Sequence, residues 1–173
     1  LMAAAGYCFG VAHCNFQLRG SESDEDEKLV ESEARRYGVE FFNTRFDTTG
    51  EMDRTGESME MAARRLRYAW FRELCDEHGY NAIAIAHHSN DSIETFFINM
   101  LRGTGLRGLT GITTQLGRVV RPMMFATRKD IHDYALAHHI PFREDSSNRT
   151  TKYLRNKVRL GLIPMLKEIN PRF

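Results

Sequence analysis

The residues best suited to chemistry lie together in His87-His88-Ser89-Asn90-Asp91-Ser92-Ile93-Glu94, directly after the apolar run Ala82–Ala86. The run predicts a strand, and a strand delivers His87 and His88 to its carboxyl end. Asp91 and Glu94 are three apart, so on a following helix they share one face of the first turn. Two carboxylates and an imidazole there could hold an ammonium group or a magnesium ion. They could also move a proton. A plainer reading stands beside this one: carboxylates in a first turn favour the positive helix end whatever the function. The pattern is not H-E-x-x-H, so the zinc-protease helix does not apply.

Three further groups could bind anions. Arg102–Gly111 (RGTGLRGLTG) holds four glycines and two arginines. Glycine lets backbone approach a ligand and arginine grips phosphate in a fork. The stretch follows a helix rather than opening one, so it reads equally as a glycine-rich connection. Lys152, Arg155 and Arg159 form a stripe at helical spacing, with Tyr153 and Lys157 beside it; such a face binds nucleic-acid backbone or is simply solvated. Arg64, Arg65 and Arg67 crowd one helix, and at least one must point away from its apolar stripe.

Strands and helices alternate around these groups. Tyr7–His13 and Glu40–Arg45 read as strands. Ser23 is placed to cap a helix reaching Tyr37, with Asp24, Glu25, Asp26 and Glu27 in its first turn; that acidic run reads as helix chemistry rather than a metal site. A loop leads to Ser58. Met59, Ala62, Ala63, Leu66, Ala69, Trp70 and Leu74 then mark a long amphipathic helix ended by Gly79. Ser89 or Asn90 caps the next, with Ile93, Phe96, Phe97, Met100 and Leu101 expected on its buried side. Thr127–His138 reads as a helix with a capping box from Thr127 and Asp130. Thr151–Leu162 reads as a basic helix, and Pro164 ends it or starts another. This order implies an α/β fold with a doubly wound, mostly parallel sheet, which binds ligands at the carboxyl ends of its strands.

Composition excludes other classes. With 42% apolar and 27% charged residues in 173, the chain is neither disordered nor fibrous. No apolar run approaches the ~20 residues of a spanning helix. Cys8, Cys14 and Cys75 form no C-x-x-C pair, so reduced thiols in a cytoplasmic protein are expected. The net charge of +1 hides a split: residues 1–101 carry 10 Lys/Arg against 18 Asp/Glu, and residues 102–173 carry 14 against 5. A basic half suggests a polyanionic partner.

In this order the segments resemble the tRNA(Ile)-lysidine synthetase family of PP-loop enzymes. Ala12–Gly20 (AHCNFQLRG) is similar to its A-H-x-N-H-x-L-R-G, and Ala62–Tyr68 (AARRLRY) to A-A-R-x-x-R-Y. His87–Gly111 matches H-H-x-x-D-x-x-E-T followed by R-G-x-G and G-L. Arg121-Pro122, Glu144–Asn148 and Tyr153–Arg159 (YLRNKVR, for Y-x-R-N-x-[IV]-R) follow. The resemblance implies a PP-loop type sheet truncated at its first strand over residues 1–125, with the C-terminal part of that domain, a basic helix and the start of a linker helix over 126–173.

The resemblance also implies a reaction. ATP donates AMP to the wobble cytidine of an isoleucine tRNA with a CAU anticodon, and the ε-amine of free L-lysine then displaces AMP. Asp91 and Glu94 would hold the lysine, with His87 as a third catalytic group. His13, Asn15, Arg64, Arg67 and His87 would meet ATP, which comes with Mg2+. Arg102, Arg107, Lys152, Arg155, Asn156 and Arg159 would grip tRNA, and Asp145 and Asn148 would shape the loop before them. No membrane is involved, and a homodimer is compatible with the resemblance. Phe16 departs from the family's histidine. The family's S-G-G-x-D-S loop is not in these residues. It is expected upstream of Leu1, which reads as the tail of the preceding helix; further domains are expected beyond Asn170-Pro171. The 173 residues alone are therefore expected not to turn over ATP. The alternatives are a non-catalytic RNA-binding module with a degenerate nucleotide fold, a sibling tRNA-thiolation enzyme of the same superfamily, and a metal hydrolase built on His87, His88, Asp91 and Glu94.

Overall fold

The computed structural model describes residues 1–145 and 153–172, the side chain of Arg107 excepted. They form two compact units, Leu1–Ile83 and Ala84–Phe173. The division falls at the strand before His87. The reason is local pairing: Ile85 N–H donates to Val120 O (2.9 Å), so the segment reaching residue 125 is tied to the residues after 84.

The first unit opens on one helical turn, with Ala5 N–H on Leu1 O (2.9 Å), Gly6 N–H on Ala3 O (3.0 Å) and Tyr7 N–H on Met2 O (3.2 Å) around Gly6 at φ 73°, the hydrogen-bond pattern of a helix C-terminus. Strand β1 (Val11–Asn15) pairs in parallel with β2 (Phe41–Arg45), and Val11 lies opposite Phe41. β1 therefore starts four residues later than the apolar texture suggests, because pairing starts where β2 starts; Tyr7 is exposed. Between them runs α1 (Ser21–Tyr37), which begins two residues before Ser23 and ends at Gly38 in a left-handed conformation. The expected loop before Ser58 holds a helix, α2 (Thr48–Thr55): Asp47 accepts from Gly50 N–H (2.9 Å) as its N-cap. Helix α3 (Met59–His78) follows the expected stripe, with Ser58 accepting from Met61 N–H and Gly79 closing it. Ala62 and Cys75 are its buried points.

In the second unit β3 (Ile83–Ala84), β5 (Val119–Val120) and β4 (Gln115–Leu116) form a sheet in the order β3-β5-β4, with β4 and β5 antiparallel. β3 is shorter than its five apolar residues suggest. Helix α4 (Ser89–Leu101) follows, then a 3-10 turn at Leu106–Thr110. Helix α5 (Arg128–Ala137) carries the expected capping box, Thr127 Oγ1 accepting from Asp130 N–H (3.1 Å) and Asp130 Oδ2 from Thr127 N–H (2.8 Å).

The basic segment is α6 (Leu154–Lys157), a π-helical turn at Val158–Leu162, and α7 (Ile163–Ile169). Of the two expected outcomes Pro164 takes the second: it stands in the first turn of α7, directly after the π turn. It has no N–H for the Leu160 carbonyl and its ring crowds that oxygen, and the wider π turn takes up the misfit. Phe97, Ile98 and Val158 form the buried cluster, with Phe96, Leu162, Ile163 and Leu166 packed on it. The unit's core is thus α4 against the basic segment. That packing rotates α4 from its expected orientation: its buried residues are Asp91, Glu94, Phe97 and Ile98, while Ile93, Met100 and Leu101 are exposed.

Candidate functional site

Each unit carries a polar cluster at a strand end. In the first, Asn15 ends β1 and is fully buried. Its Nδ2 donates to Asp24 Oδ1 (3.1 Å) and Glu27 Oε2 (2.8 Å), and its Oδ1 accepts from Gln17 N–H (2.9 Å). Asn15 thereby holds the Phe16–Gly20 loop, in which Gln17 adopts a positive φ of 55°. The acidic first turn of α1 is neutralised from within: Arg19 meets Asp26 (2.7 Å), and Arg45 meets Asp24 (3.1 Å) and Glu27 (3.3 Å). Asn15 first, then Asn43 and Arg45, hold the Glu27 carboxyl below the usual carboxylate range.

His13 lies two residues before Asn15. Burial lowers its pKa, which keeps it neutral near pH 7. Burial pushes the Cys14 thiol up to about 11 against the opposing charge and hydrogen bond of Arg67. Arg67 also stacks on Phe16 (5.1 Å), whose ring stacks on Phe46 (5.5 Å). Phe16, where the resemblance leads one to expect histidine, thus serves as a platform for a guanidinium. Arg65 is engaged by Glu51 (2.6 Å) and Glu57 (2.8 Å). Arg64 lies over Tyr68 (4.8 Å), and among the described residues neither Arg64 nor Arg67 pairs with a carboxylate. A neutral imidazole at a strand's carboxyl end, with an arginine held on an aromatic face, suits the base and phosphates of a nucleotide.

In the second unit, β3 delivers His87 and His88 to the start of α4. The N-cap is His88, not Ser89 or Asn90: Asp91 Oδ2 accepts from His88 N–H (3.0 Å). Ser89 instead donates its hydroxyl to Ala126 O (2.8 Å), and Asn90 Oδ1 accepts from Arg128 N–H (2.8 Å), tying the starts of α4 and α5 together. The His88 Nδ1 is buried and 3.5 Å from Asp91 Oδ2, without hydrogen-bond geometry.

Glu94 is 1% exposed, although it is a carboxylate. Arg159, in the π turn, explains this: its Nε donates to Glu94 Oε1 (2.6 Å) and its Nη2 to Oε2 (3.0 Å). The fork geometry offsets desolvation of both charges. Arg155 adds Nη1 to Asp91 Oδ1 (3.5 Å) and Nε to Glu94 Oε2 (3.8 Å). The expected outward basic stripe is therefore partly turned inward, onto the carboxylates of α4, and Asn156 beside it is buried. Lys157 remains exposed, as do Arg102 and the Glu144–Asp145 segment's first residue. Lys152 and Asn148 lie outside the described residues, and the side chain of Arg107 is likewise not described. Among the described residues, no three His, Cys, Asp or Glu side chains are grouped to hold a metal ion.

One residue absent from the sequence-based site joins it here. Arg121, beyond β5, is 6% exposed. Its Nε donates to His87 Nδ1 (3.1 Å) and its Nη1 to Thr113 O (2.8 Å). In the sequence it was marked by the Arg121-Pro122 landmark of the resemblance, to which no role was attached.

These clusters sit on an α/β scaffold with parallel pairing, and the match to known families gives that scaffold its class. The PP-loop domain matches residues 2–166, and the chain belongs to that family. Among individual proteins it is similar to the tRNA(Ile)-lysidine synthase of Bacteroides thetaiotaomicron, with 44% identity over 171 residues, 99% of this chain and 40% of that one. The tRNA(Ile)-lysidine synthase of Parabacteroides distasonis is 42% identical over 99% of this chain and 39% of its own. That of Chlorobaculum tepidum is 41% identical over 96% of this chain and 51% of its own. The chain thus spans about half or less of these relatives. The solved U34-tRNA thiolase NcsA of Methanococcus maripaludis, with its [4Fe-4S] cluster, shares the fold at TM-score 0.72 and 14% identity, over 92% of this chain and 56% of that one. No helix among the described residues is long and apolar enough to cross a membrane.

Proposed function

We propose that the chain is part of a cytoplasmic enzyme that converts the wobble cytidine of a CAU-anticodon isoleucine tRNA to lysidine. ATP, with Mg2+ on its phosphates, transfers AMP to the base and releases pyrophosphate. The ε-amine of free lysine then forms the new C–N bond as AMP departs. The observation that carries this reading is the buried Asp91–Glu94 pair one turn from His87, in a chain similar to enzymes of that name.

The two carboxylates differ in readiness. Both Glu94 oxygens are engaged by Arg159, whereas Asp91 Oδ1 faces only the longer 3.5 Å approach of Arg155. Asp91 is therefore the first carboxylate to take the lysine ammonium, and Glu94 follows as Arg159 yields one of its two bonds. Only the neutral amine attacks, so a carboxylate must also accept its proton. His13, Arg64 and Arg67 hold the nucleotide, with Asn15 holding the loop beside them. Arg155 and Arg159, once released from the carboxylates, oppose the charge on phosphate or tRNA. Arg102, Arg107 and Lys152 complete the tRNA-facing set, and Asn156, buried in α6, supports the helix that carries Arg155 and Arg159. The phosphate-binding S-G-G-x-D-S motif does not occur in the 173 residues. The same reading therefore has this stretch by itself fail to turn over ATP.

The thiolation alternative needs a reactive cysteine pair. Cys8 is exposed, Cys14 partly buried and Cys75 buried, and the raised pKa of Cys14 opposes thiolate formation.

The test is labelled-lysine incorporation by the complete encoded chain, with ATP, magnesium and a CAU-anticodon tRNA transcript. Incorporation that is lost in Asp91→Ala, with tRNA binding retained, supports the reading. Binding without incorporation in the unaltered chain moves it to the RNA-binding module.

A further inference from the structure

We infer that Arg121 is a positioning residue that fixes His87 as a neutral imidazole carrying its proton on Nε2. The hydrogen bond sets the tautomer. Arginine Nε has only a hydrogen to offer, so His87 Nδ1, 3.1 Å away, must supply the lone pair. A proton on Nδ1 would set two N–H groups head to head, and a doubly protonated ring would add a second cation. The remaining ring proton belongs on Nε2.

The fold holds Arg121 firmly in this role. β5 lies beside β3, so the residue after β5 comes level with the residues after β3. The Arg121 backbone N–H donates to Thr114 O (2.8 Å), and its Nη1 holds Thr113 O (2.8 Å) from the same strand connection. Pro122 restricts the Arg121 backbone to extended conformations. Among the described residues Arg121 has no carboxylate partner although it is 6% exposed. A buried arginine is ordinarily neutralised by an acid. Here the geometry spends the cation on an imidazole nitrogen.

The consequence narrows what His87 can do. It cannot act as a base through Nδ1, and it meets a ligand as an Nε2–H donor. Resting on the lysidine reading, its place is against an oxygen that gains negative charge as AMP transfers, while Asp91 and Glu94 handle the amine's proton. This is hydrogen-bond donation to a developing charge rather than general-base catalysis.

The experiment uses the complete encoded chain labelled with 15N in its histidine rings. Long-range proton–nitrogen correlation spectra are recorded without tRNA or lysine, so the answer does not depend on lysidine synthesis. His87→Gln assigns the signal. The expected spectrum shows His87 protonated at Nε2 and bare at Nδ1. In Arg121→Gln the pattern moves toward an average of both tautomers. A proton on Nδ1 in the unaltered chain overturns the inference, as does an unchanged pattern in a folded Arg121→Gln. If that variant does not fold, the spectrum of the unaltered chain still decides. Lysine incorporation gives a second reading. His87→Gln, whose amide reaches the Nε2 position, should retain at least ~10-fold more kcat than His87→Asn, whose amide mimics Nδ1. The reverse order overturns the assigned role.

Discussion

Replacing Arg159 by methionine probes the pairing that turns α4 inward. The change removes two charge-assisted hydrogen bonds, of 2.6 and 3.0 Å, from a carboxylate 1% exposed. Breaking a buried pair from one side costs about 3–5 kcal/mol, because the other charge stays buried. Two features lower that figure. Arg155 Nε already lies 3.8 Å from Glu94 Oε2 and can close in. Arg159 is itself 20% exposed, so it was less costly to bury. A local cost of ~2–3 kcal/mol remains, which corresponds to ~30- to 150-fold faster opening. Native-state amide exchange along α4 reads this directly, without assuming that the whole chain unfolds in one step. Glu94→Met in the Arg159→Met background removes the stranded charge. The double variant should therefore protect α4 better than Arg159→Met alone, with a coupling of ~1 kcal/mol or more. Exchange in Arg159→Met within about a factor of two of the unaltered chain, or additive single effects, refutes the argument.

Other outcomes follow from separate contacts. Glu27 has a lowered pKa in the fold, so its contribution is present above the ordinary carboxylate value and is lost as pH falls through that range toward the folded value. The acid arm of the stability profile should shallow in Glu27→Gln, and a parallel acid arm counts against it. Cys14, with a pKa of about 11, is ~0.1% thiolate at pH 8. Alkylation followed by peptide mapping should label exposed Cys8 well before Cys14; the opposite order is inconsistent with the burial. Gly111 has φ of 72° and a Cβ there would run into Ser92 Oγ, which accepts from Ile112 N–H at the start of α4. Gly111→Ala should cost ~2 kcal/mol, measurable as a lowered urea midpoint, and an unchanged midpoint contradicts the clash.

Much of this protein is legible in the order of its residues, because helix and strand signals are local. Ser58 and Gly79 bracket α3, and Thr127 with Asp130 opens α5, since caps satisfy backbone groups within the same turn. The grouping of Asp91 with Glu94 follows from helical spacing alone. Asp47 and Gly56 show the limit of that reading: both ends of α2 were written in cap residues, but the polar segment between them lacks an apolar stripe to advertise a helix.

What tertiary structure decided is where those groups point. α4 carries apolar residues on most of its surface, so hydrophobic periodicity could not choose between a face centred on Ile93 and Met100 and one centred on Glu94 and Phe97. The choice fell to Arg155 and Arg159, some sixty residues on, whose guanidinium groups make burial of the carboxylates tolerable. The same pairing turns an apparent nucleic-acid stripe inward. Arg121 reaches His87 across 34 residues of sequence because β5 pairs beside β3, a register that no local pattern encodes. Local sequence set the elements and the chemistry available to them. Long-range charge pairing and strand adjacency, which depend on the whole unit closing at once, set which of those groups meet.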